Sequence, residues 1–220
     1  MSRLVVNRNS MTWTSGVGRA CGVLLDAIVR LLALSRINPN LLTLMGLVVN
    51  TYAAFLFGYA NSDNQRRMFI YAGLVIIGSG FFDLVDGRVA RASNRVTRFG
   101  GFFDSIVDRY SDASLFLGLQ VFYGRGGRFF YVVLAALAMI SAIMVSYARA
   151  RAESLIGTCK VGFMERPERL VLLIIGALFN EMAPVLWVIA VLSTITVIHR
   201  VQYTWHRTRE MDGLAPTRAA

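Results

Sequence analysis

Four long apolar runs constrain this chain more than any other feature. They lie at residues 41–59, 68–84, 113–122 with the mixed turns before it from residue 102, and 129–145. A bilayer core about 30 Å thick takes roughly 20 apolar residues of helix. Two shorter runs follow, 170–179 and 183–198, split by Asn180, Glu181 and Pro184. Together they are too long for one crossing and short for two. Read as two, with the fifth helix starting near the first-turn residue Pro167, they bring the expected number to six. The apolar share is 55% and the charged share only 16%, against roughly 25% charged in soluble domains. A disordered chain needs the opposite balance. Two cysteines, Cys21 and Cys159, are too few for a disulfide framework or a zinc site.

Basic residues supply the orientation. Of 23 Lys and Arg, 18 fall in the N-terminal segment, the second and fourth connections and the tail, and four (Arg66, Arg67, Arg125, Arg128) on the other side. Positive charge collects in the cytoplasm, so both termini are expected there, in a multi-pass protein of the cell membrane. Residues 17–34 set Val23, Leu24, Ile28, Leu31 and Leu32 beside Arg19, Asp26 and Arg30, the pattern of an amphipathic helix lying in the membrane interface. The expected organisation is a segment 1–38 with that helix, a six-helix transmembrane domain over 39–206, and a cytoplasmic tail 207–220. The fold class is all-α integral membrane protein. With the basic residues bordering apolar spans and no soluble domain left over, the positive charge points to anionic lipid and not to nucleic acid.

The acids are fewer and more telling. Asp83 and Asp86 end the second span, three apart, and Asp104, Asp108 and Asp112 occupy the first half of the third, four apart. Each set lines one helical face, and the short polar link predicts an antiparallel hairpin with the carboxylates facing each other. An ionised carboxylate in a span is costly and marks a function by default. Such a group repels itself at low dielectric and calls for protonation or for cations. All-oxygen ligands select hard divalent ions, Mg²⁺ or Mn²⁺, and a pair of them suits phosphoryl chemistry. Arg91 and Arg109 are the basic partners expected inside, too few for a purely structural Asp–Arg network. An ion channel or transporter would spread its carboxylates through the membrane depth, whereas these lie within a few turns of one face.

In order, the segment reads Asp83-x2-Asp86-Gly87-x2-Ala90-Arg91-x8-Gly100-x3-Asp104-x3-Asp108. This resembles the signature of the CDP-alcohol phosphatidyltransferases, with all eight specified positions filled. The resemblance implies transfer of a phosphatidyl group from CDP-diacylglycerol to an acceptor hydroxyl with release of CMP, and a homodimer. It implies two metals, with Asp83 and Asp104 shared, Asp86 completing the first site and Asp108 the second, and Asp108 as general base. It also implies that Gly87, Arg91, Thr97 and the stretch Asn40-Leu41-Leu42-Thr43 hold the CDP-lipid, and that Asp112 supports from outside the signature.

The acceptor rests on a second cluster. Arg166 and Arg169 are one turn apart and can converge on one anion, and guanidinium suits bidentate phosphate binding. Arg149 and Arg151, two apart, cannot both join them. Residues 162–169 resemble the phosphatidylinositol-phosphate synthase branch, in which Ser146, Arg149, Arg166 and Arg169 correspond to a pocket for the phosphate of inositol 1-phosphate. Bacterial members of that branch carry Lys in place of Arg149. Glycerol 3-phosphate, giving phosphatidylglycerophosphate, is the competing acceptor.

Overall fold

A computed structural model describes residues 38–92 and 97–213, without the side chains of Pro39, Asp83, Leu84, Asp86, Gly87, Ala90, Arg91 and Ala92. The interfacial helix expected within 17–34 lies outside the described residues. Six helices follow: α1 (Pro39–Tyr59), α2 (Gln65–Ala92), α3 (Arg98–Arg125), α4 (Phe129–Ile156), α5 (Arg166–Leu178) and α6 (Met182–Met211).

Their boundaries follow local chemistry. Asn38 caps α1 through its side chain, which accepts from the Asn40 N–H at 3.0 Å, with Pro39 in the first turn. Asn61 closes the turn before α2 by accepting from the N–H groups of Asp63 and Asn64. Thr97 caps α3 by accepting from Gly100 N–H at 2.9 Å. At the end of α5, Asn180 takes a left-handed conformation (φ 59°) and Glu181 N–H returns to Gly176 O at 2.8 Å.

The helices close a ring. α1 packs on α2 and α3, α2 also on α5, α3 also on α4, and α6 on α4 and α5. Each arm of the expected α2–α3 hairpin also packs closely on α1; the link 93–96 and the side chains of Asp83 and Asp86 lie outside the described residues. The two arms meet through Phe69 and Phe122, edge to face at 4.9 Å, at the end away from the aspartates. Small residues explain the arrangement. A Cβ on Gly118 of α3 would sit 2.2 Å from Ala54 O of α1, so those backbones are in contact. Gly118→Val is expected to cost about 3 kcal/mol, the upper range for overpacking. Gly78→Ala, with nothing within 4 Å of its Cβ, should leave stability equal or slightly raised. Thermal unfolding in detergent checks both.

Three helices, α1 over Asn40–Tyr59, α4 and α6, are long and apolar enough to cross a membrane. α2 and α3 have the length at 28 residues each, but carry the arginines and aspartates described above. α5 has 13 residues, about 20 Å of helix at 1.5 Å per residue, shorter than the hydrocarbon core. Large apolar side chains face outward all round, among them Val48 (64% exposed), Phe55 (61%), Leu137 (52%) and Ile195 (54%). Soluble monomers rarely expose so continuous an apolar surface; this is a membrane protein.

Candidate active site

One end of the ring is held by an aromatic chain (Phe57, Phe69, Phe122, Tyr123, Tyr131) with successive centroids 4.9–5.0 Å apart. The other end holds the charges. There, the first turn of α1 abuts the start of α3. A Cβ on Gly100 would lie 3.0 Å from Thr97 Oγ1 and 3.4 Å from Asn40 Oδ1, so glycine lets the two helix starts approach closely here. Within the same turn Leu41 faces outward while Leu42 and Thr43 are buried. Asp83 and Asp86 lie in the last third of α2, flanking the buried Val85, with Gly87 and Arg91 further along the same helix.

On α3 the spacing of four sets Asp104, Asp108 and Asp112 along one face. Asp104 is half-buried. Asp108 accepts from Arg166 Nη1 at 2.9 Å and lies 3.9 Å from Arg109 Nη1. Asp112 is buried, accepting from Arg169 Nη2 at 2.6 Å and from Arg166 Nε at 3.4 Å. Arg109 also donates to Ser105 O, one turn back.

These pairs extend the sequence reading. Arg109, one of the two basic partners expected inside, lies 3.9 Å from Asp108, and the side chain of Arg91 lies outside the described residues; Arg166 and Arg169 also reach the aspartates, from α5. The phosphate-type cluster and the carboxylate face are one site. The reason is the ring closure, which sets the start of α5 opposite the first half of α3; sequence separation of more than 50 residues conceals it. Arg169 is 2% exposed, and its Nε and Nη1 have no hydrogen-bond partner among the described residues. A single carboxylate meets one edge of a guanidinium and leaves the remaining donors unmet.

Arg149 pairs with Glu153 (Nε to Oε1, 3.0 Å) and with Glu165 (Nη1 to Oε1, 3.0 Å). Ser146 is half-buried, one turn before Arg149 on α4. Arg149 thus joins Arg166 and Arg169 through Glu165, the residue preceding α5. Two members of this end escaped the sequence reading. Glu165 was only a neighbour of arginines, and Arg200 was counted among the cytoplasmic tail bases. Arg200 is 1% exposed. A basic residue two positions past the last apolar run, within the first turn beyond it, is the signal that could have marked it.

Among the described side chains, no three Asp, Glu, His or Cys residues gather closely enough to hold a metal ion; those of Asp83 and Asp86 are outside that set. The donors on the two helices are all carboxylates, the chemistry of a hard divalent cation.

A family model for CDP-alcohol phosphatidyltransferases matches residues 36–200, from just before α1 to Arg200. The chain belongs to the CDP-alcohol phosphatidyltransferase family. It is 39% identical over 178 residues to the archaetidylinositol phosphate synthase of Pyrococcus horikoshii, covering 80% of this chain and 88% of that one. The structure resembles a Mycobacterium tuberculosis phosphatidylinositol phosphate synthase crystallised with CDP-DAG bound. That likeness has TM-score 0.75 at 27% identity, over 89% of this chain and 98% of the other. The same enzyme in complex with manganese and citrate gives TM-score 0.71 at 28% identity, over 82% and 88%. As a phosphatidyltransferase, the chain is a transferase, and the matched range takes in α1 to α5 and α6 as far as Arg200.

Proposed function

We propose that this phosphatidyltransferase moves the lipid-phosphate group of a CDP-activated lipid, CDP-diacylglycerol or its ether-linked counterpart, onto the hydroxyl of inositol 1-phosphate. The product is a phosphatidylinositol phosphate-type lipid, and CMP is released. The observation that carries this reading is Arg169, buried with two unused donors beside an Arg166 that already touches Asp108. An anionic group in that space meets guanidinium donors on one side and places its hydroxyl within reach of a carboxylate on the other. The names of the relatives favour inositol phosphate over glycerol 3-phosphate.

Asp83, Asp86, Asp104 and Asp108 are the residues to hold two divalent cations, Mg²⁺ or Mn²⁺. When bound, these neutralise the carboxylates and polarise the phosphoryl group under attack. Manganese in the solved relative supports divalent metal use. Asn40, Leu41, Leu42, Thr43, Gly87, Arg91 and Thr97 hold the CDP-lipid, with Asn40 and Thr97 brought together at Gly100. Asp108 takes the acceptor's hydroxyl proton, an oxygen–phosphorus bond forms at the lipid-side phosphate, and the bond to CMP breaks. Arg166 and Arg169, with Ser146 and Arg149, orient the acceptor by its phosphate, and Asp112 keeps Arg169 in place.

The same reading sets all six helices in the cell membrane with both termini and the site on the cytoplasmic side, supported by the one-sided arginines. The interfacial helix in 17–34 and a homodimer, which the family resemblance implies, complete it.

The test is an assay of purified protein with CDP-diacylglycerol and four acceptors: inositol 1-phosphate, glycerol 3-phosphate, free inositol and serine. Inositol 1-phosphate should turn over fastest. Arg166→Ala and Arg169→Ala should each raise its KM roughly 10- to 100-fold, the worth of one or two charged hydrogen bonds, with the KM for CDP-lipid little changed. Equal rises for both substrates would argue against an acceptor-phosphate pocket.

A further inference from the structure

The connection between α4 and α5 is stitched to α6 by one buried guanidinium. Every nitrogen of Arg200 is engaged: Nε donates to Val161 O at 2.8 Å, Nη1 to Val145 O at 2.6 Å, and Nη2 to Glu165 Oε1 at 2.9 Å. Those partners lie on α4, on the connection, and at the residue preceding α5. Thr196, one turn earlier on α6, accepts from Met164 N–H at 3.1 Å. Gly162 makes the close fit possible. Its φ is 107°, and a Cβ there would lie 2.5 Å from Thr196 Cγ2 and 3.2 Å from Arg200 Nε.

Glu165 is the pivot. Its Oε1 accepts from Arg200 and from Arg149, so one oxygen joins α4 to α6. Its own N–H donates to Glu168 Oε2 at 3.0 Å, closing the first turn of α5. The next residue is Arg166. Arg200 spends three of its five N–H donors on two carbonyls and a carboxylate, and at 1% exposure it is closed to a ligand.

We infer that Glu165, anchored by Arg200, is the positioning residue that sets Arg149 and the Arg166–Arg169 turn at the spacing needed to grip one acceptor phosphate. The inference rests on the acceptor-phosphate reading above. A carboxylate beside an anion site would weaken binding by charge alone, so positioning and repulsion predict opposite signs. Positioning makes the acceptor bind worse when Glu165 is neutralised; simple repulsion makes it bind better.

The experiment measures KM for inositol 1-phosphate and for CDP-diacylglycerol, with kcat, on purified full-length protein in magnesium. The variants are Glu165→Gln, Glu165→Asp, Arg200→Met and the double Glu165→Gln/Arg200→Met, with Arg166→Ala for reference. Glu165→Gln should raise the acceptor KM roughly tenfold, a sub-ångström misplacement being costly at a reacting site, while the CDP-lipid KM stays within about twofold. Glu165→Asp keeps the charge and so protects folding, but is too short to reach both arginines; it should show a smaller rise of the same kind. The double variant should be no worse than the worse single, because Arg200 acts through Glu165. An unchanged or lowered acceptor KM in Glu165→Gln, alongside a raised one in Arg166→Ala, overturns the inference and leaves the function standing. Multiplying effects in the double variant also overturn it, since Arg200 would then touch the acceptor itself. An Arg166→Ala protein with unaltered acceptor KM overturns the function reading and this inference together.

Discussion

Asp108→Ala is expected to cut CMP release by roughly 10²–10⁴-fold, the contribution of a positioned general base, while the protein still folds. The two expectations separate because of what surrounds the side chain. Arg166, its close partner, retains Asp112 at 3.4 Å, so the substitution leaves no buried charge alone. Asp108 itself is 18% exposed, and the space it leaves can be hydrated. What is lost is the member of the proposed metal-binding set that also touches Arg166. Asp83→Ala and Asp104→Ala should match it in activity, because the proposed cations need all four carboxylates. Chelator should silence the wild type reversibly, with Mg²⁺ or Mn²⁺ restoring release. Full turnover in chelator would sink the metal-dependent reading, and a fully active Asp108→Ala protein would remove the base assignment.

Asp112→Ala is expected to act on stability first. It strips the buried Arg169 of the carboxylate 2.6 Å away, and breaking a buried pair by removing one partner costs about 3–5 kcal/mol. Thermal unfolding in detergent should show this as a large fall in Tm. Adding Arg169→Met removes the stranded charge as well and should recover most of the loss, since an apolar replacement of a buried pair is often neutral. The double variant should be stable yet bind inositol 1-phosphate poorly, because Met cannot donate to a phosphate. A double variant with full acceptor affinity would show that Arg169 is structural and nothing more. Comparison with Asp108→Ala, active in folding and inactive in chemistry, distinguishes neighbouring acids one turn apart on α3.

Much of this was legible in the linear chain because the decisive signals are local. The apolar runs and the first-turn Pro167 of α5 depend on residues within a turn or two. So does the aspartate signature, whose three- and four-residue spacings can be read as faces of single helices. Which helices touch is a different matter. The short link between α2 and α3 predicts an antiparallel pair, but not the close approach of α3 to α1 at Gly118 and Ala54. The 13 residues of α5 also show why the last third of the chain read poorly, since neither its length nor its composition alone distinguishes a crossing from a half-crossing.

By itself, then, the sequence determined a membrane-embedded helical phosphatidyltransferase with its acids on α2 and α3 and a pair of arginines one turn apart at the head of α5. Only the tertiary structure decided that those arginines meet the acids, through Asp108 and Asp112, and that Arg200 leaves the tail's topology-setting charges to become a buried tie on Glu165. The physical reason is range. Caps, faces and spacings are set by neighbours along the chain, whereas a buried ion pair between residues more than 30 positions apart exists only once the ring of helices has closed around it.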